Sequence, residues 1–173
     1  MNNTSFRTVI CVPCYNESKR LNKAAFLSFV NEHHDIAFLF VNDGSKDNTL
    51  DVLNEFTTQH KNLHILNLEQ NGGKAEAVRQ GMMHAFHTFQ PKYIGFWDAD
   101  LATPLEELPD FITIVQQRNL DMVTGLRLMR LGANVKRKNS RHFLGRILQP
   151  LPHMCYACLC TIRNAEQNFT KQN

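Results

Sequence analysis

Apolar and polar positions alternate along this chain at two periods. Short, nearly unbroken apolar runs occupy residues 8–12, 36–41, 63–68, 93–97 and 122–126. Each is bounded by polar or turn-forming residues, which is how a strand buried on both faces of a parallel sheet reads. Longer segments lie between them, with apolar residues three and four apart. Residues 19–32 place Leu21, Ala24, Ala25 and Phe29 on one side. Residues 49–60 do the same with Leu50, Leu53 and Phe56, and residues 74–88 with Ala75, Val78, Met82 and Phe86. A fourth helix is predicted from Pro104, which suits a first helical turn, to about residue 118. Strands alternating with helices of this length predict an α/β fold, with a mainly parallel sheet and right-handed crossovers. The expected organisation is one domain over residues 1–147. A tail, 148–173, shows neither helical nor strand period.

The polar residues that follow each run change the picture from fold to chemistry. The fourth run ends abruptly in Asp98 and Asp100. Side chains two apart share a face of a strand, so both carboxylates are expected to converge beyond the sheet edge. Open α/β sheets bind ligands there. Two adjacent carboxylates repel unless a cation lies between them, and a hard divalent metal shared with substrate phosphates is the simplest one. After the first run, Pro13 lacks a donor and is expected to stop the ladder, leaving Tyr15 and Glu17 at the rim. After the second come Asp43 and Gly44, with Asp47 or Asn48 as helix cap. After the third, Asn71-Gly72-Gly73-Lys74 offers backbone N–H groups and a cation to an anion. After the fifth comes Arg127. Taken singly, each reads as capping or turn chemistry. Five on one edge describe a nucleotide-diphosphate pocket, with an aromatic and carboxylates for base and ribose, and metal plus basic groups for phosphates.

Composition mostly excludes. The net charge of +3 is too small to argue for nucleic acid. The basic residues are uneven, however: Lys136, Arg137, Lys138, Arg141 and Arg146 crowd one region, as an anion surface or a solvated basic face. No run approaches the ~20 apolar residues of a membrane span. The first seven residues lack the order of a signal peptide, so a reducing cytoplasm is the default compartment. Cys11/Cys14 and Cys155/Cys158 each have half the spacing of a zinc knuckle. Cys11 lies inside an apolar run, where a small buried hydrophobe suffices.

Five strings, in order, carry a family resemblance: Val12-Pro13-Cys14-Tyr15-Asn16-Glu17, residues 41–49 from Val41-Asn42-Asp43-Gly44 onward, residues 71–81 from Asn71-Gly72-Gly73-Lys74 onward, Asp98-Ala99-Asp100-Leu101-Ala102-Thr103-Pro104, and Gly125-Leu126-Arg127. Together the chain resembles family 2 glycosyltransferases of the GT-A fold, specifically the dolichyl- or polyprenyl-phosphate sugar synthases. The resemblance implies a Rossmann-like nucleotide-sugar-binding domain. It implies transfer of a sugar from a UDP-glucose or GDP-mannose type donor to a lipid phosphate, with inversion. By the same resemblance Pro13, Tyr15 and Glu17 shape the base and ribose site, Asp43 hydrogen-bonds the base, and Lys74 lies near the nucleotide. Asp98 and Asp100 hold Mg2+ or Mn2+. Asp100 and Arg127 serve catalysis, Arg127 by meeting phosphate charge. Lys136, Arg137 and Arg141 are candidates to receive the lipid phosphate, which makes peripheral membrane contact an implied property. A dinucleotide-binding domain would want G-x-G-x-x-G after the first strand, and none is there. A nucleotidyltransferase would want a basic glycine-rich loop at the same place.

The chain departs from that family in three places. Asn42 stands where many relatives have aspartate. Ala102 stands where mannosyl-type relatives place glutamine, which leans toward a glucose donor. The resemblance ends near residue 147, and relatives continue with an Asp-Thr-Gln-Cys-Gly segment and acceptor-side helices. A shifted reading frame is the expectation for such a tail: with permitted codons chosen for residues 161–170, reading two bases later would spell Asp-Thr-Gln-Cys-Gly-Ala-Lys-Leu-Tyr. The alternative to an active transferase is a truncated nucleotide-sugar-binding remnant with little turnover.

Overall fold

A computed structural model describes residues 6–125 and the strand at 157–161. The elements run β1 (Thr8–Cys14), α1 (Lys23–Glu32), β2 (Ile36–Asp43), α2 (Thr49–Thr57), β3 (Leu63–Leu68), α3 (Lys74–Phe89), β4 (Tyr93–Trp97), a 3-10 turn (Leu105–Glu107), α4 (Leu108–Gln117), β5 (Met122–Gly125) and β6 (Ala157–Thr161). The strands form one sheet in the order β3-β2-β1-β4-β6-β5. β1 pairs in parallel with β2 and β4, and β2 with β3. β6 is antiparallel to both of its neighbours, with Gly95 opposite Leu159 and Val123 opposite the same residue.

Period-2 alternation sorts the central strands onto two cores. Ile10, Val12 and Cys14 of β1 and Phe38 and Phe40 of β2 face Phe26, Phe29, Leu53, Phe56 and Leu108. Val9, Cys11, Ala37, Leu39 and Val41 face Ala77 and Ala85 of α3. The aromatic side is locked by edge-on contacts, with Phe26 at 5.0 Å from both Phe38 and Phe40. On the other side α3 lies close to the sheet. A Cβ at Gly81 would come within 2.7 Å of Val41 Cγ2 and 3.2 Å of Cys11 Sγ.

Several expectations shift. α1 begins at Lys23 rather than at residue 19, because Asn22 caps it by accepting from the Ala25 N–H at 3.2 Å. Its buried residues are Phe26, Phe29 and Val30, and Ala24 is exposed. The innermost line of α3 is Ala77, Gly81 and Ala85, while Val78, Met82 and Phe86 flank it and Ala75 is exposed. Close approach to β1 and β2 selects small residues over large ones. Pro13 does not end β1: pairing with β2 runs on through Pro13 to Cys14, although pairing with β4 stops at Cys11. Pro104 stands just before the 3-10 turn, and α4 starts later, at Leu108. A strand, β6, forms within the stretch expected to lack one. Its partners lie more than 30 residues earlier in the chain, so no local period announces it. Leu126, the rest of the tail and Cys155 lie outside the described residues. Among the described residues no helix is long and apolar enough to cross a membrane.

Candidate functional site

The C-terminal ends of β1, β2 and β4 open onto one cleft of about 230 Å³. Pro13, Cys14, Tyr15, Glu17, Arg20, Asp43, Lys74, Asp98, Ala99 and Asp100 line it. The predicted residues Pro13, Tyr15, Glu17, Asp43, Lys74, Asp98 and Asp100 therefore share one hollow. Arg127, Lys136, Arg137 and Arg141 lie outside the described residues.

The sequence places each group by local means. β4 ends at Trp97, and a tight turn follows. The Asp100 carboxylate accepts the Ala102 N–H at 3.0 Å, Leu101 N–H bonds to the Asp98 carbonyl at 3.2 Å, and Leu101 takes a φ of 50°. That φ is unusual for a branched side chain. Trp97 Nε1 donates to the Thr103 carbonyl at 2.8 Å, which pins the far end of the turn. The two aspartates thus meet the cleft through a turn rather than through strand alternation, because the strand stops before either of them.

Asp43, 2% exposed, ends β2. Its two oxygens accept the Gly72 and Gly73 N–H groups at 2.8 and 2.9 Å, and its carbonyl accepts from Asn71 Nδ2 at 3.0 Å. Gly44, at φ 59°, makes room for this: a Cβ there would come within 2.6 Å of the Asn71 nitrogen. The glycine turn expected to offer its N–H groups to an anion gives them to Asp43. Lys74, the first residue of α3, places Nζ 2.5 Å from Asp98 Oδ1 and 5.4 Å from the Phe96 ring centre. Phe96 belongs to the face of β4 that looks toward α3.

Tyr15 and Glu17 stand on a loop tied to the one after β2. Thr49 Oγ1 accepts the Glu17 and Ser18 N–H groups at 2.8 and 3.0 Å. Ser18 Oγ donates to Asp47 at 2.6 Å, Asn16 N–H to Ser45 Oγ at 3.1 Å, and Lys46 N–H to Asn16 Oδ1 at 2.9 Å. Asn16 sits at φ 55°, a conformation asparagine tolerates. Bonds from Ser18 and Thr49 pull the Asp47 carboxyl down to about 2. Asn48 takes the cap position of α2 with no side-chain bond, while Asp47 accepts the Thr49 N–H at 3.0 Å.

Glu17 pairs with Arg20, whose Nη2 lies 2.6 Å from Glu17 Oε1. Glu17 Oε2 is buried without a partner. Burial raises the Glu17 carboxyl above the usual glutamate range; Arg20 opposes that, and the charges of Asp100 and Asp47 add to it. Burial pushes the Cys11 thiol up to about 12, and burial with the Glu17 charge raises Cys14 further. Neither is a nucleophile or a ready metal ligand. Arg20 and the Thr49 clasp are the groups sequence reasoning missed. A cation three residues after Glu17 was the available signal for Arg20.

The donor set fits a hard divalent cation. Asp98 and Asp100 supply carboxylate oxygens, the ligands Mg2+ takes when it also binds substrate phosphates. Among the described residues no group of three or more His, Cys, Asp or Glu can hold an ion unaided. Further oxygens must come from the bound substrate or water.

Comparison with known proteins bears on the family and the fold. The family described as Glycosyl transferase family 2 matches residues 9–170. A dolichyl-phosphate beta-glucosyltransferase of Trichomonas vaginalis is 32% identical over 153 residues, covering 80% of this chain and 44% of its own length. The enzyme of the same name from Saccharomyces cerevisiae is 31% identical over 149 residues, covering 79% and 43%. The chain therefore spans less than half the length of these two relatives. Among solved structures, a mannosyltransferase from Pyrobaculum calidifontis, in complex with GDP-Man and Mn2+, superposes with a TM-score of 0.62 at 17% identity, covering 92% of this chain and 46% of that one.

Proposed function

Because the chain belongs to glycosyl transferase family 2, we propose that its cleft binds a nucleotide-diphosphate sugar and that the protein transfers the sugar to a polyprenyl or dolichyl phosphate. One observation carries the reading: Tyr15, Glu17, Asp43, Lys74, Asp98 and Asp100 line a single hollow at the C-terminal edge of a mainly parallel sheet. Ligands of open α/β sheets bind at that edge. The relatives named for dolichyl-phosphate glucosyl transfer, with Ala102 beside the carboxylates, favour UDP-glucose over GDP-mannose as donor.

The residues divide the work by charge. Tyr15, 40% exposed, offers a ring face to a base, and Glu17 an acceptor to a ribose hydroxyl. Asp43 keeps the 71–73 turn in place and retains free lone pairs for the base. Asp98 and Asp100 would hold Mg2+ or Mn2+. When bound, such an ion offsets the negative charge that grows on a departing nucleoside diphosphate. Lys74 supplies a second positive charge from the α3 side, and Arg127 a third. A phosphate acceptor is already anionic at neutral pH and needs less help from a base than a sugar hydroxyl. Lys136, Arg137 and Arg141 receive it in this reading, which brings the protein to a membrane surface as a peripheral visitor.

Turnover tests the reading. With Mn2+ and polyprenyl phosphate, radiolabelled UDP-glucose is expected to give labelled glycolipid, in excess over GDP-mannose. Donor binding without any product under the same conditions would leave a nucleotide-sugar-binding protein. Absence of both would end the proposal.

A further inference from the structure

Two cations and four carboxylates line the cleft, and both cations are already engaged, Arg20 with Glu17 and Lys74 with Asp98. The backbone donors before α3 are engaged as well, by Asp43. The Asp98 side chain is 14% exposed, so its carboxylate has lost most of its water and depends on the ammonium. We propose that Lys74 is a built-in counter-ion that holds Asp98 until a diphosphate takes the lysine away, so that divalent cation and diphosphate bind cooperatively. This rests on the nucleotide-diphosphate reading of the cleft.

The physical reason is mutual obstruction. A divalent cation arriving alone must compete with an ammonium seated on one of its two carboxylates. A diphosphate arriving alone meets four carboxylates against two cations. Arriving together, each removes the other's obstacle. Phosphate oxygens give the Lys74 ammonium new acceptors and free Asp98, while the ion offsets the carboxylates. The lysine can make this exchange without moving α3. It is the first residue of the helix, and its charge rides on a flexible four-carbon stem. The Phe96 ring beneath Nζ offers a surface that any cation favours and that accepts no hydrogen bond in competition with phosphate. Linkage requires the effect to be reciprocal: the factor by which diphosphate tightens metal binding equals the factor by which metal tightens diphosphate.

The experiment is Mn2+ binding by the full chain, followed by the electron paramagnetic resonance of free Mn2+, with and without UDP and corrected by a protein-free UDP control. Wild type is expected to bind Mn2+ weakly alone and about tenfold more tightly with UDP. Lys74→Met, and Lys74→Gln as a second neutral variant, are expected to bind Mn2+ alone about tenfold more tightly than wild type and to gain less from UDP than wild type does, keeping only the part that phosphate oxygens supply as ligands of the ion. Lys74→Arg keeps the charge and is expected to follow wild type. Circular dichroism confirms that each variant is folded. Neutral variants that bind Mn2+ alone no more tightly than wild type, or that keep the full UDP effect, overturn the counter-ion role and leave the metal reading intact. Failure of wild type to bind Mn2+ even with UDP overturns the metal reading, and the lysine's role with it.

Discussion

Asp43 serves two loops with one carboxylate. It closes β2 and takes both N–H groups of Gly72-Gly73 while nearly fully buried. Hydrogen bonds to an ionised group contribute roughly 1.5–3 kcal/mol each, and removing the acceptor returns the N–H groups of exposed Gly72 and half-buried Gly73 to water. Asp43→Ala is therefore expected to lower stability by about 3 kcal/mol in urea denaturation, as well as weakening nucleotide binding. A change in binding with no change in stability would return Asp43 to a purely ligand-facing role. Asp100 is different in kind: it is exposed, and among the described residues its carboxylate bonds to the Ala102 N–H. Asp100→Ala is expected to leave folding nearly unchanged and to abolish Mn2+-dependent binding of UDP-glucose in calorimetry. At this scale the sequence was informative about position and less so about partners. Tyr15, Glu17, Lys74 and Asp98 stand where the ends of apolar runs put them. That Lys74 sits on Asp98, and that Gly72-Gly73 answer Asp43, depends on the packing of α3 against β4 and β2, which no spacing encodes.

The elements that carry these residues are held by two devices. One is the clasp of Asn16, Ser18, Ser45, Asp47 and Thr49 between the loops after β1 and β2. The Asp47 carboxyl is held down to about 2 from an ordinary 3.8 by bonds from Ser18 and Thr49. A depressed carboxyl contributes stability that is full above its unfolded value and disappears as pH falls through the folded one. Asp47→Ala should thus melt below wild type at pH 7, and the gap should close as pH falls from about 4 to about 2. A gap independent of pH would mean the carboxylate's charge is not what the clasp uses. The other device is the small-residue line of α3. Gly81→Leu would drive a side chain into Val41 and Cys11, where even a Cβ is too close. A loss of roughly 1–3 kcal/mol or more is expected from chemical denaturation. Strand positions were legible because β1, β2 and β4 are continuous apolar runs. The orientation of α3 was not, since a reading that follows large apolar residues passes over Ala77, Gly81 and Ala85.

The described residues form a mainly parallel sheet, and among them one antiparallel strand, β6, comes from far along the chain. Alternation of runs and helices predicts the parallel part, because each crossover is local. β6 lies between β4 and β5 and is specified by pairing across the sheet. What the assembled sheet produces is a rim on which residues from positions 13 to 100 meet. In the function we propose, this rim seats a nucleoside diphosphate between the carboxylate pair and Lys74, with its base toward Tyr15 and Asp43. A crystal structure of the chain with UDP and Mn2+ tests it most directly. The expected result is the ion held by Asp98 and Asp100 beside the diphosphate, with Lys74 Nζ moved from Asp98 onto a phosphate oxygen. UDP seated elsewhere on the molecule, or Mn2+ bound away from both aspartates, would contradict it.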